Sequence, residues 1–144
     1  MAPRLLEDRT MELIREINDN KQIKSYKDVI NYLDEFRNQD REMFIVLGLD
    51  TNARPIYREI TAVGTLNATM IHPREIFKKA IVMSCNSIIL AHNHPSGNVE
   101  PSAEDKKITK LLLKCSKILN IEILDHVILG ENDCYSFQEK GEMK

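Results

Sequence analysis

One run of residues constrains the fold of this chain more than any other: Met43-Phe44-Ile45-Val46-Leu47-Gly48-Leu49. Successive side chains of a strand point to opposite faces of its sheet, so a strand with one wet face alternates apolar and polar residues. This run does not alternate. It predicts a central strand buried on both sides, and such a strand needs covering layers above and below its sheet. The chain has 144 residues, enough for one domain with a proper core and no disulfide or metal staples.

The flanking segments supply those layers. Residues 4 to 17 carry Leu5, Leu6, Met11, Leu13, Ile14 and Ile17 among charges, which predicts a helix, and the polar stretch 18 to 22 ends it. Ser25-Tyr26-Lys27-Asp28 opens a second helix with Val29, Ile30, Leu33 and Phe36 on its apolar face. After the central strand, residues 50 to 55 form a turn and Ile56 to Val63 return as a strand, a hairpin pattern. Pro73 stands at a first helical position ahead of Ile76, Phe77, Ala80 and Ile81. Ser87 to Ala91 is a further strand.

The clearest helix runs over 103 to 119, with Ile108, Leu111, Leu112, Cys115, Ile118 and Leu119 in one arc and only Leu113 misplaced. Lys106, Lys107, Lys110, Lys114 and Lys117 gather on its other side. Asn120 can end it. Ile121 to Leu129 and Cys134 to Phe137 are the last strands. The expected fold class is α/β: a single domain with a mixed β-sheet flanked by helices. Its expected limits are 25–144, preceded by a helical extension over 1–24.

Composition removes several function classes. Hydrophobic content of 42%, charged content of 29% and a net charge of −2 give no general basic excess for nucleic acid. No apolar stretch approaches the roughly 20 residues that span a bilayer, and the charged first residues lack a secretory apolar core. Cys85, Cys115 and Cys134 are odd in number, far apart and without a C-x-x-C pair, which fits reduced thiols serving as small hydrophobes. The expected address is the cytoplasm, with no membrane partner.

Chemistry enters where the strand over 87 to 91 ends, at His92-Asn93-His94-Pro95-Ser96-Gly97. Imidazoles at i and i+2 of a strand share a face and can share a ligand. After seven intervening residues comes Ser102-Ala103-Glu104-Asp105, a helix-capping box whose Asp105 projects from the first turn back toward the strand end. His92, His94 and Asp105 with an open fourth position describe a catalytic zinc site. Glu104 points elsewhere around the helix. A hydrolytic site also needs a proton shuttle; Glu42, Glu59, Glu75 and Glu100 are candidates, with Glu42 favoured at the head of the buried strand. The sequence has neither H-E-x-x-H nor the H-x-E with P-C-x-x-C of zinc deaminases. His72 and His126 read as structural.

The spacing H-x-H-x7-S-x-x-D resembles the JAMM motif of the JAB/MPN metalloprotease superfamily. The string Ile88 to Gly97, with Leu124-Asp125-His126, Arg41-Glu42-x-Phe44-Ile45-Val46-Leu47-x-Leu49-Asp50 and Ile71-His72-Pro73-Arg74-Glu75, is similar to the RadC family of bacterial proteins over about residues 25 to 144. That resemblance implies a deaminase-like α/β fold. It implies zinc on His92, His94 and Asp105, Glu42 as the catalytic acid/base, and Ser102 supporting the oxyanion during peptide or isopeptide hydrolysis. Many RadC members carry an N-terminal helical DNA-binding-like module. Only about one helix stands there in this chain, which weakens the DNA-repair association of the family.

Two other functions compete. The lysine face of the 103–119 helix can neutralise several phosphates, giving a DNA-associated accessory protein with a structural or vestigial metal. Its bland counterpart is a solvated helix face. JAMM-like domains without metal also serve as interaction scaffolds, which the intact ligand set argues against.

Overall fold

The computed structural model describes residues 13–144. Among the described residues, six strands form one sheet in the order β1-β3-β2-β4-β5-β6: β1 Ile14–Glu16, β2 Met43–Leu49, β3 Pro55–Val63, β4 Ser87–Asn93, β5 Glu122–Leu129 and β6 Cys134–Ser136. Helices α1 Tyr26–Leu33, α2 Pro73–Val82 and α3 Ala103–Leu119 cover it. Every neighbouring pair is antiparallel except β4 and β5, which are parallel and joined through α3. A parallel pair needs such a crossover, because a tight turn cannot return the chain in the same direction.

The central run behaves as its composition requires. All seven residues of β2 are buried, and so are all seven of β4. Phe44 and Val46 of β2 with Ile88 and Leu90 of β4 pack against Ile76, Phe77 and Ala80 of α2 and Ile108 and Leu112 of α3. Met43, Ile45, Leu47 and Leu49 with Ile89 and Ala91 pack on the other face with Val29 and Leu33 of α1. The domain is therefore three layers, with the sheet in the middle. Gly48 faces the first of these layers, where Tyr57, its direct partner on β3, takes the space a side chain would fill.

Two expectations are corrected. Of the helix expected over 4 to 17, residues 4–12 lie outside the described part. Residues 14–16, its end, form the edge strand β1, in register with Tyr57 to Glu59 of β3. The free edge of β3 offers backbone partners that outweigh a weak helical periodicity.

The second correction concerns α3. Its buried residues are Asp105, Ile108, Thr109, Leu112 and Ser116, while Leu111, Ile118 and Leu119 are exposed and Leu113 is partly buried. The helix is rotated so that a carboxylate and a hydroxyl face the sheet beside the apolar residues. An apolar arc alone could not anticipate a buried polar stripe.

Among the described residues, no helix is long and apolar enough to cross a membrane.

Candidate metal centre

The site lies where the C-terminal end of β4 meets the N-terminus of α3. In sheets of this kind the crevice outside the carboxyl ends of parallel strands is where loops and helix starts converge. His92 is opposite Phe44 in the β2–β4 pairing, and the two rings stack at 6.0 Å between centroids. His94 lies just past β4 but its N–H still bonds the Leu129 carbonyl, 2.9 Å away, so the backbone that carries it stays tied to β5. The chain then turns back through Gly97, whose φ of 86° is left-handed backbone that favours glycine.

Ser102 starts α3. Its Oγ accepts the Asp105 N–H at 3.0 Å while its own N–H donates to Asp105 Oδ2 at 2.8 Å. The capping box thus aims the Asp105 carboxylate into the crevice, and cap and ligand roles coexist in the same four residues.

Two imidazole nitrogens and both oxygens of a carboxylate converge there. His92 Nε2 lies 3.0 Å from His94 Nε2 and 3.1 Å from Asp105 Oδ1, and His94 Nε2 lies 3.1 Å from Asp105 Oδ2. Ligands held about 2.0–2.1 Å from a tetrahedral ion stand about 3.3 Å apart, close to each of these contacts, and one donor atom from each residue lies within 4.8 Å of the other two. The side chain of His92 is 1% exposed, Asp105 4% and His94 12%, so the centre opens past His94.

Hydrogen bonding sets which atoms of the cluster face one another as acceptors. His94 Nδ1 is 2.7 Å from the Asn98 carbonyl, which can only accept. The Nδ1 therefore carries a proton, and in the neutral ring Nε2 is a bare lone pair. That lone pair faces a second imidazole nitrogen and a carboxylate. Burial by itself pushes the Asp105 carboxyl up, but the His92 and His94 contacts outweigh it and hold the group well below the usual carboxylate range. His94 is raised, chiefly by its bond to Asp105 and against its own burial. An anion this stable beside two ring nitrogens is balanced by shared protons or by one metal ion in their place. The three residues could hold such an ion.

Of the candidate shuttles, Glu42 immediately precedes β2, and Leu66 N–H reaches its Oε2 at 3.3 Å. Its charge is felt at His94. Glu59 is in mid-strand opposite Val46, Glu75 is in the first turn of α2, and Glu100 is in the loop before α3. Glu104 accepts the Ala68 N–H at 3.0 Å, fastening the 64–72 loop beside the crevice rather than entering it. His72 caps α2 through its backbone. Lys106, Lys107, Lys110, Lys114 and Lys117 are all exposed, on the side of α3 away from the sheet, and Lys107 is 3.5 Å from Glu104.

Sequence reasoning missed two contributors. Asn93, between the two histidines in sequence, faces away from both. Its Oδ1 accepts the Met43 N–H at 2.7 Å and its Nδ2 donates to the Arg41 carbonyl at 2.8 Å, a clamp on both residues flanking Glu42. His126, read as structural, is fully buried with its Nε2 2.9 Å from His92 Nδ1. Burial pushes His126 well below the usual histidine range. Its place depends on the irregularity in the β4–β5 register between Ile88 and Ile89, which skips Leu124. Without that bulge, side-chain alternation would turn His126 toward α1. The signal available was Leu124-Asp125-His126 itself, a polar pair inside an apolar strand.

A three-layer α/β domain with a His-His-Asp cluster at a strand–helix junction defines a JAB-type fold with a candidate metal centre. The model of the RadC-like JAB domain matches residues 23–142, and the chain belongs to that family. A UPF0758 protein of Pelodictyon phaeoclathratiforme is 48% identical over 125 residues, 86% of this chain and 56% of that protein. A UPF0758 protein of Chlorobaculum tepidum is 47% identical over 123 residues, 85% of this chain and 55% of that one. A Bacillus mycoides UPF0758 protein is 42% identical over 127 residues, 88% and 56% respectively. The chain thus spans little more than half the length of these relatives.

Proposed function

We propose that this chain is a zinc-dependent hydrolase of peptide or isopeptide bonds. The observation that carries the reading is the convergence of His92 Nε2 and His94 Nε2, 3.0 Å apart, on the Asp105 carboxylate, whose Oδ1 and Oδ2 each lie 3.1 Å from one of them, with His94 on the more open side. Two imidazoles and a carboxylate are a donor set suited to zinc, and three protein ligands with an open position distinguish a catalytic from a structural site. When bound, zinc supplies Lewis acidity and a water acidified to a pKa of about 7.

The residues around it have distinct tasks. The Glu42 carboxylate, held at the strand head by the Asn93 clamp and by Leu66 N–H, takes a proton from water and returns it to the leaving nitrogen. Ser102 Oγ already accepts the Asp105 N–H, which leaves its O–H to donate toward the oxyanion of an attacked carbonyl. The three free cysteines suit a reducing, cytoplasmic address.

The test is incubation with a diverse peptide and isopeptide library, comparing wild type with Glu42→Gln. Cleavage by wild type and its loss in the variant support the reading, whereas equal cleavage removes Glu42 as the base. A DNA-associated role has one supporting observation, the exposure of all five lysines of α3.

A further inference from the structure

We propose that His126 is a positioning residue of the metal centre, which with Thr109 fixes His92 as the tautomer whose Nε2 lone pair faces the metal. This rests on the reading of His92, His94 and Asp105 as metal ligands. A histidine ligand ordinarily donates its other ring N–H to a carboxylate, a carbonyl or water, and that bond sets which nitrogen is free to bind. His94 follows the pattern with the Asn98 carbonyl. His92 does not, because the atom 2.9 Å from its Nδ1 is the Nε2 of another histidine. An imidazole nitrogen can donate or accept, so the partner alone fixes nothing.

The order comes from one step further in. Thr109 Oγ1 lies 2.9 Å from the Asp105 carbonyl of its own helix, which can only accept, and 2.6 Å from His126 Nδ1. With its hydroxyl hydrogen on the carbonyl, Thr109 accepts from His126 Nδ1–H. His126 is fully buried, and its side-chain hydrogen-bond partners are this hydroxyl and the His92 ring, with no carboxylate among them to hold a second ring proton, so its Nε2 is a lone pair and accepts from His92 Nδ1–H. His92 Nε2 is left bare and directed at His94 and Asp105.

Four groups thus form a directed chain that starts and ends at metal ligands: the Asp105 backbone carbonyl, Thr109, His126 and His92. Phe137 stacks on the His126 ring at 4.7 Å with 9° between planes, and Phe44 stacks on His92, so both rings are fixed in orientation. The bulge of β5 has a purpose on this account. It turns His126 toward α3, where a helical hydroxyl can set its tautomer.

The experiment uses the whole chain and reads metal affinity by competition with a chromophoric zinc chelator, with Co²⁺ absorption as a second readout. His126→Phe keeps the volume and the stack on Phe137 but removes the acceptor. His126→Gln returns an acceptor oxygen near the position of Nε2. Thr109→Val removes the hydroxyl at constant shape, and Thr109→Ser restores it.

Removing such a partner weakens metal binding by about 10–100-fold, so His126→Phe and Thr109→Val are expected to lose that much and to shift the Co²⁺ bands. His126→Gln and Thr109→Ser are expected close to wild type. Nitrogen-detected NMR of the zinc-loaded wild type is expected to show His92 protonated at Nδ1. If His126→Phe does not fold, the threonine pair and the NMR assignment decide. Wild-type affinity in Thr109→Val, equal losses in His126→Phe and His126→Gln, or a proton on His92 Nε2 each overturn the proposal. His92→Ala separates the two levels: undiminished zinc affinity in that variant defeats the metal reading itself, while its loss beside an unaffected Thr109→Val defeats only the positioning role.

Discussion

Replacing Asn93 with alanine tests whether the strand head that carries Glu42 is held by a side chain rather than by the sheet. Asn93 is fully buried, and its two hydrogen bonds go to the Met43 N–H and the Arg41 carbonyl. Alanine leaves the Met43 N–H, inside a residue of zero exposure, without its acceptor. A stranded buried donor costs about 1–3 kcal/mol. The Arg41 carbonyl belongs to an exposed residue and can recover water, so its loss adds only about 0.5–1 kcal/mol. With a small cavity term, the total is about 2–4 kcal/mol, to be read as a shift in the urea midpoint at unchanged slope.

A domain stable by about 5–15 kcal/mol survives that loss, so the variant can be assayed folded. The Asn93 side chain points away from the ligand face, so zinc content is expected to stay at the wild-type level while hydrolysis falls at least as far as Glu42 is displaced. Asn93→Asp separates the two bonds further. It keeps an acceptor for Met43 N–H but sets a carboxylate against the Arg41 carbonyl, so it is expected to be less stable at neutral than at acidic pH. Wild-type stability in Asn93→Ala, or lost zinc with unchanged stability, would refute the clamp.

Gly48→Ala pushes a Cβ into the ring of the fully buried Tyr57 and is expected to destabilise by about 1–3 kcal/mol or more in urea unfolding; an unchanged midpoint contradicts the packing. Asp125 is raised by burial, which outweighs the hydrogen bonds from Ser136, Gln138 N–H and His126 N–H. A raised folded pKa gives stability that is full below the unfolded value, about 3.9, and is lost as pH rises through the folded one. Asp125→Asn keeps an oxygen for the two N–H groups, so its stability relative to wild type is expected to grow across that window and then level off; a difference constant with pH contradicts the sign. If the α3 lysines bind DNA, affinity must fall steeply between low and physiological salt, with a slope up to about −0.9 per phosphate contact, and no binding at low salt removes that role.

Much of the architecture was legible because burial on two faces leaves a mark that needs no partner to interpret. The β2 run reads as a central strand on its own, and His92 and His94 inherit a common face from the strand period. Asp105 was legible because capping geometry fixes where a first-turn carboxylate points. The edge strand β1 was not, since three residues gain strand geometry only from the free edge of β3.

The buried face of α3 was misread for a related reason. Thr109 and Asp105 face the sheet because the site needs them there, and hydrophobic periodicity counts both as solvent residues. His126 was hidden by a bulge that inverts the alternation within β5. Asn93 was hidden because its partners are backbone groups fifty positions upstream.

The central claim is that His92, His94 and Asp105 hold one metal ion together. The most direct measurement is metal analysis of purified wild type beside His92→Ala and Asp105→Ala, after dialysis against zinc and then against metal-free buffer. About one zinc per chain is expected in wild type and little in either variant. Equal zinc in all three proteins would contradict the account at its foundation.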